Sequence, residues 1–300
     1  MSSPTTREST REAFVQTELA GMPRRLFRAS PSRLLAWVDC PRRYRMQYLD
    51  RPAPAARSQR AHTSVGVAVH NALRDWWDLA PGERTPQAGA ELVRTSWIET
   101  GFRDVAQSLE WRTRAQDQVT AYLHDVDPGE QPLGIERTVS LKTSVLALQG
   151  RVDRLDDRPD GLAVVDYKTS RVAPTDDDAR TSLPLALYAA AAWKMFRRRC
   201  VRVELHHLPS GSVAVHEHTG DSLKRKIDEA ESIARDARRA EQDYAEFGTD
   251  SGRFPASVGP LCQWCDFRAH CPAGQAAGPE KSGWAALEAP VAVPRGDLRD

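Results

Sequence analysis

The sequence predicts an α/β fold, a small mixed sheet flanked by helices, and three observations carry that expectation. Apolar residues recur at helical spacing through the first half of the chain. Short β-branched runs separated by turn residues begin at Gly134. Helix and strand patterns then alternate up to residue 247. With 40% hydrophobic and 28% charged residues among 300, the composition is that of a folded chain with its own core, not a disordered or fibrous one.

Residues 1–29 are polar and aperiodic and read as a flexible tail, as do residues 276–300, so the folded domain is expected over 30–275. Ser30-Pro31 is a helix-start signal, and Leu34, Leu35 and Val38 supply an apolar face up to Cys40-Pro41. Val65, Ala68, Val69, Ala72, Leu73, Trp76 and Trp77 mark a longer helix, with two more around 88–99 and 103–125. Strands follow at Ile135 to Leu141, Val145 to Leu155 and Leu162 to Tyr167, an antiparallel meander closed by Arg158-Pro159-Asp160-Gly161. An alanine-rich helix over 183–196, strands at 201–208 and 212–218, and an amphipathic helix over 222–247 complete the order.

No apolar run approaches the roughly 18 residues needed to cross a bilayer, and the N-terminus lacks a signal-peptide pattern, so a cytoplasmic location is expected. The net charge of +1 neither demands nor excludes a nucleic-acid partner, but residues 1–60 hold twelve arginines against five acids. That excess suits either a solvated surface or a phosphate track, with Arg42, Arg43 and Arg45 at its centre.

Asp153 and the Asp166-Tyr167-Lys168 triplet carry the candidate chemistry. Strand alternation points Asp166 and Lys168 to one face, and pairing through the 157–161 turn would set Asp153 beside Asp166. Two carboxylates so placed suit a hard divalent cation such as Mg²⁺, while an adjacent ammonium can orient water and offset phosphate charge. An isolated Asp-x-Lys pair on a strand is more often a solvated salt-bridging face. Here the apolar run Ala163-Val164-Val165 leads into it, as in a buried strand whose emerging charge needs partners. Glu136 reads equally as an extra acid or a surface residue.

Asp153 followed by Asp166-x-Lys168 resembles the core of the PD-(D/E)xK nucleases, and the wider pattern resembles their RecB-type exonuclease branch. Ser30-Pro31-Ser32-Arg33-Leu34 with Cys40-Pro41-Arg42-Arg43-Tyr44 resembles its opening. Gly66-x-x-x-His70 resembles its helical histidine motif, Leu183 to Tyr188 its post-core helix, and Cys262-x-x-Cys265-x5-Cys271-Pro272 its terminal cysteine cluster. The resemblance implies a restriction-endonuclease-like core, with Asp153 and Asp166 on Mg²⁺ or Mn²⁺, His70 a further metal ligand or an organiser of the site, Lys168 catalytic, and Tyr188 near DNA. Pro184 stands where that branch has glutamine, and proline offers no side-chain amide for substrate positioning.

Three cysteines within ten residues, plus Cys40 far upstream, make an unusual zinc pattern and suit a [4Fe–4S] cluster at least as well. The resemblance favours the cluster, because AddB-type and CRISPR-associated exonucleases share this layout. Its role would be structural, an iron–sulfur subdomain built from both ends of the domain. Trp264 would cover the cluster or stack on a base, and Cys200 reads as a buried thiol. The implied activity is exonucleolytic hydrolysis of single-stranded or frayed DNA in recombination or repair. Without a phosphate-binding G-x-x-x-x-G-K-[ST] motif, unwinding falls to a separate helicase. A non-catalytic DNA-binding module on the same fold, or a zinc-stabilised interaction protein, is the alternative.

Overall fold

The computed structural model describes residues 25–288. In chain order its elements are β1 (Phe27–Ala29), α1 (Pro31–Asp39), α2 (Pro41–Tyr48), α3 (Ala61–Asp78), α4 (Pro86–Thr95) and α5 (Val105–His124). These precede β2 (Gly134–Lys142), β3 (Leu146–Arg158) and β4 (Gly161–Lys168), then α6 (Asp176–Thr181) and α7 (Leu183–Phe196). The chain continues through β5 (Cys200–His207), β6 (Val213–Glu217), α8 (Gly220–Phe247), α9 (Pro272–Ala276) and α10 (Ala285–Glu288).

The six strands form one mixed sheet in the order β1-β3-β4-β5-β6, with β2 on the other edge of β3. The meander β2-β3-β4 is antiparallel, as expected, and α6 and α7 carry the chain across to β5, which runs parallel to β4. Gly161 turns β3 into β4 at φ +141, a conformation costly for other residues, and a Cβ there would also press on the Arg199 carbonyl.

The main core lies between the sheet and α1, α7 and α8, around Leu34, Leu148, Leu155, Leu187 and Ala234. A second core packs α3, α4 and α5 onto the sheet's other side through Trp76, Trp77, Val119, Val165 and Tyr167. Among the described residues no helix is long and apolar enough to cross a membrane.

Both expected tails need correction. Phe27–Ala29 is not tail but a strand parallel to Leu146–Leu148, with Phe27 and Ala29 buried, and three residues are too few to reveal alternation. Residues 277–288 fold back as well: the amide of Ala61 donates to Gly283 O at 3.1 Å, that of Lys281 to Gln263 O at 3.1 Å, and Leu287 is buried. Backbone hydrogen bonds hold this segment, so side-chain periodicity could not announce it. Residues 1–24 and 289–300 of those tails lie outside the described residues. The first expected helix is followed at once by a second, because Cys40 is extended and Pro41 opens α2 at its first turn.

Candidate active site

The site is built on a fork in the sheet. On the edge of β3 away from β2, β1 pairs with residues 146–148 and β4 with residues 154–158, leaving the backbone between them unpaired on that side among the described residues. Arg154 opposite Val165 is the last β3–β4 pair, so Asp153 and Asp166 face each other where the strands part. Asp153 Oδ2 extends the ladder by accepting the Tyr167 amide at 2.9 Å.

His70 reaches the fork from α3. One turn earlier, Gly66 lets that helix come close to the end of β4, where an added Cβ would lie 3.4 Å from Thr169 Oγ1. His70 Nε2 lies 3.1 Å from the Tyr167 carbonyl, an acceptor, so Nε2 carries the proton and donates. Nδ1 then faces Asp153 Oδ2 at 3.4 Å. With the imidazole neutral, two acceptors confront each other, and only a proton or a metal cation between them relieves that. A ring nitrogen fixed by a backbone carbonyl, with the other offered alongside a carboxylate, is the arrangement of a histidine metal ligand.

Glu136 completes the set. It lies opposite Asp153 in the β2–β3 register but is unpaired, with φ +46, an uncommon conformation for a non-glycine residue. Its carboxylate, His70 and Asp153 offer donor atoms all within 4.8 Å of one another. Arg151 Nε holds Glu136 Oε2 at 2.5 Å. Counting outward from the 143–145 turn would have put Glu136 opposite Asp153; the positive φ leaves no signal in the sequence.

The electrostatics are those of a site short of positive charge. Burial alone would lower the His70 pKa, but the hydrogen bond and charge of Asp153, with Asp166 and Glu136, hold it above the ordinary value. Burial and then the Asp153 charge push Asp166 up, against the pull of Lys168. Lys168 Nζ approaches Asp166 Oδ2 at 2.5 Å, though this solvent-shielded oxygen gains no well-directed hydrogen bond. Burial raises Glu136 too, more than the Arg151 charge lowers it.

Asp166 and Lys168 open into a cleft of about 610 Å³ also lined by Ser182, Pro184 and Tyr188. The amino end of α7 faces this cleft and lends it partial positive charge. Pro184 sits in the first turn of α7, where the missing amide costs no helical hydrogen bond. Tyr188 packs against Gly150 in the fork, and burial followed by the charges of Asp166 and Asp153 pushes its hydroxyl up to about 12.

The four cysteines of the expected cluster lie on two segments, Cys40 at the end of α1 and Cys262, Cys265 and Cys271 late in the sequence, and no three of their sulfurs come within 4.8 Å of one another. Cys40 Sγ accepts the Ser257 amide at 3.4 Å, and the Cys262 thiol lies 3.7 Å from the carbonyl of the same residue. Cys271 packs with Met46 and Phe267, and Cys265 borders that cluster. The donor set is four thiols and fits a thiolate-bound metal or cluster. Cys200 stands apart, fully buried at the start of β5. The Trp264 ring is covered by Arg60 at 5.7 Å and met edge-on by His62.

The basic trio is largely engaged there: Arg42 Nε donates to Phe254 O at 3.3 Å, and Arg45 pairs with Asp50 at 3.2 Å. Arg43 approaches Asp39 at 3.7 Å. These contacts belong to the cysteine end, not to the fork.

Over 95 residues, 31% of its length, the chain is 36% identical to an ATP-dependent helicase/nuclease subunit from Desulforudis audaxviator (strain MP104C), and that stretch spans 7% of the relative. A solved structure from Eubacterium rectale, named as a candidate exonuclease, aligns over 81% of this chain and 88% of its own at 11% identity and a TM-score of 0.48. The PD-(D/E)XK nuclease superfamily model matches residues 28–272, the stretch that holds the fork and the cysteines, and the chain belongs to that superfamily.

Proposed function

We propose that this nuclease is a Mg²⁺- or Mn²⁺-dependent DNA exonuclease of the RecB type, acting on single-stranded or frayed DNA in recombination or repair. The observation that carries the reading is the convergence of His70, Glu136 and Asp153 within 4.8 Å, with Asp153 beside Asp166 where β3 and β4 part. His70, Asp153 and Asp166, with Glu136 as a further oxygen donor, would hold the cation. A divalent cation there supplies Lewis-acid stabilisation of the charge that builds up in phosphodiester hydrolysis.

The chain's own groups do the rest. Lys168, 41% exposed at its side chain, can release Asp166 to orient the attacking water and offset phosphate charge. Tyr188, kept protonated well past neutrality, presents a hydroxyl donor beside the carboxylates. The Tyr167 backbone binds Asp153 through its amide and His70 through its carbonyl, fixing both against displacement.

Within the same reading, Cys40, Cys262, Cys265 and Cys271 hold a [4Fe–4S] cluster joining α1 and α2 to the chain's closing segment. The convergence of Cys40 and Cys262 on Ser257 supports it. Unwinding belongs to a separate helicase, and the chain works in the cytoplasm. Pro184 in the cleft favours one second reading, a DNA-binding module of the same fold with weak or no cleavage. Release of label from end-labelled single strands with Mn²⁺ separates the two, and comparison of labels at either end gives the polarity.

A further inference from the structure

We propose that the DNA strand continues from the cleft into a second groove on the outer surface of β2 and β3, with phosphates held by Arg28 and Lys142. The inference rests on the nuclease reading and extends it to residues with no role so far. Register builds the path. Ser140 lies opposite Gln149, Lys142 opposite Ala147, and Ala147 is also opposite Arg28 of β1. Directly opposed residues share a face of the sheet.

Alternation along β3 adds Arg151 to that face, while Leu146, Leu148, Val139 and Leu141 are buried in the main core. Arg151 in turn grips Glu136 of the metal-ligand trio, an ion pair that ties this face of β3 to the site. From Asp153 to Ala147, at ~3.3 Å per residue, the face runs roughly 20 Å, room for several phosphates.

Charge decides the occupant. The groove encloses about 790 Å³ and no acid among the described residues lines it, although the chain as a whole has 42 basic and 41 acidic residues. By contrast, a cleft of about 670 Å³ around Tyr122 is lined by Asp117, Asp125, Asp127, Glu130 and Asp156 against only Arg154 and Arg158, an excess of acid that disfavours a phosphodiester. Arg33 also lines the basic groove but is neutralised by Glu241 at 2.6 Å. Arg28 and Lys142 are exposed and have no carboxylate partner among the described residues, and Lys194 Nζ sits 2.8 Å from the Lys142 carbonyl. A polyanion that enters by the cleft is the ligand such a stripe fits.

The test measures binding of a labelled single-stranded oligonucleotide across a salt series in a Lys168→Ala background, where the strand stays whole. Arg28→Ala with Lys142→Ala should lower the slope of log affinity against log salt by about 1.4, since each phosphate contact on a single strand contributes ~0.7. Arg28→Lys with Lys142→Arg should restore it. With Lys168 retained, the alanine pair should hydrolyse the p-nitrophenyl ester of thymidine 5′-phosphate, too short to reach the groove, at the wild-type rate.

An unchanged salt slope overturns the proposal. So does a slope lowered by Arg42→Ala with Arg43→Ala but not by Arg28→Ala with Lys142→Ala. Failure of wild-type protein to cleave the ester or DNA would count against the nuclease reading instead, while the slope still reports on the groove.

Discussion

Gly150 and Tyr188 show how much of the fork rests on single side chains. An added Cβ at Gly150 would overlap the Tyr188 ring and stand 3.2 Å from Pro31 Cδ. Gly150→Ala should therefore cost about 1–3 kcal/mol in urea unfolding and displace Tyr188 from the carboxylates; an unchanged midpoint would show that the ring yields freely. Asp166 makes the opposite prediction. Its folded pKa lies above the unfolded value of about 3.9, so folding favours its protonated form. The stability it contributes is present below that value and lost as pH rises through the folded pKa, which leaves a cost at neutral pH in metal-free protein. Asp166→Asn should accordingly raise the metal-free melting temperature at pH 7 and remove the further rise that Mn²⁺ gives the wild type. A lower metal-free midpoint would contradict that sign. Asp153, Asp166 and Lys168 were legible in the sequence because strand alternation and a short turn bring them together. Glu136 was legible only as one of two readings, an extra acid or a surface residue, since its turn into the set depends on a backbone angle that no residue type announces.

The elements around the site are held by charge buried in the sheet. Glu204 on β5 accepts from Arg158 at 2.6 Å and Arg202 at 2.6 Å, with His206 2.9 Å away, and is almost wholly buried. Burial would raise its pKa, but His206, Arg158 and Arg202 together hold it far below the usual carboxylate range. Its stabilisation is thus complete above the unfolded value of about 4.3 and declines as pH falls towards the folded one. Glu204→Gln should cost roughly 3 kcal/mol at pH 7, because the guanidiniums lose a buried partner, and should flatten the loss of stability on the acid side. Equal acid-side slopes in variant and wild type would remove Glu204 from that role. From this network Arg154 reaches the hydroxyls of Tyr122 at 3.3 Å and Tyr167 at 3.4 Å, and so backs the strand whose amide and carbonyl bind Asp153 and His70. The β2-β3-β4 meander and the long helices could be read from periodicity. The strand β1 and the returning segment up to Glu288 could not, because three residues carry no period and backbone hydrogen bonds leave no side-chain pattern.

Across the whole molecule, the cysteine end ties α1 and α2 to the last segments of the chain, more than two hundred residues apart in sequence. Serine at Cys40, Cys262, Cys265 or Cys271 should lose iron and lower the melting temperature, whereas Cys200→Ser should keep full iron content. Iron retained in Cys40→Ser would take Cys40 out of the set. This end and the fork have separate ligands, so substitutions at the fork should leave iron untouched. The measurement that bears most directly on the central claim is Mn²⁺-dependent release of label from end-labelled single-stranded DNA by wild-type and Lys168→Ala protein of equal iron content. In the proposed mechanism Lys168 acts on the water and the charged transition state rather than on ground-state binding, so Lys168→Ala should bind Mn²⁺ and DNA like wild type yet cleave slower by about two to three orders of magnitude. Cleavage by wild type that does not exceed Lys168→Ala would contradict the enzyme reading and leave a DNA-binding module in its place.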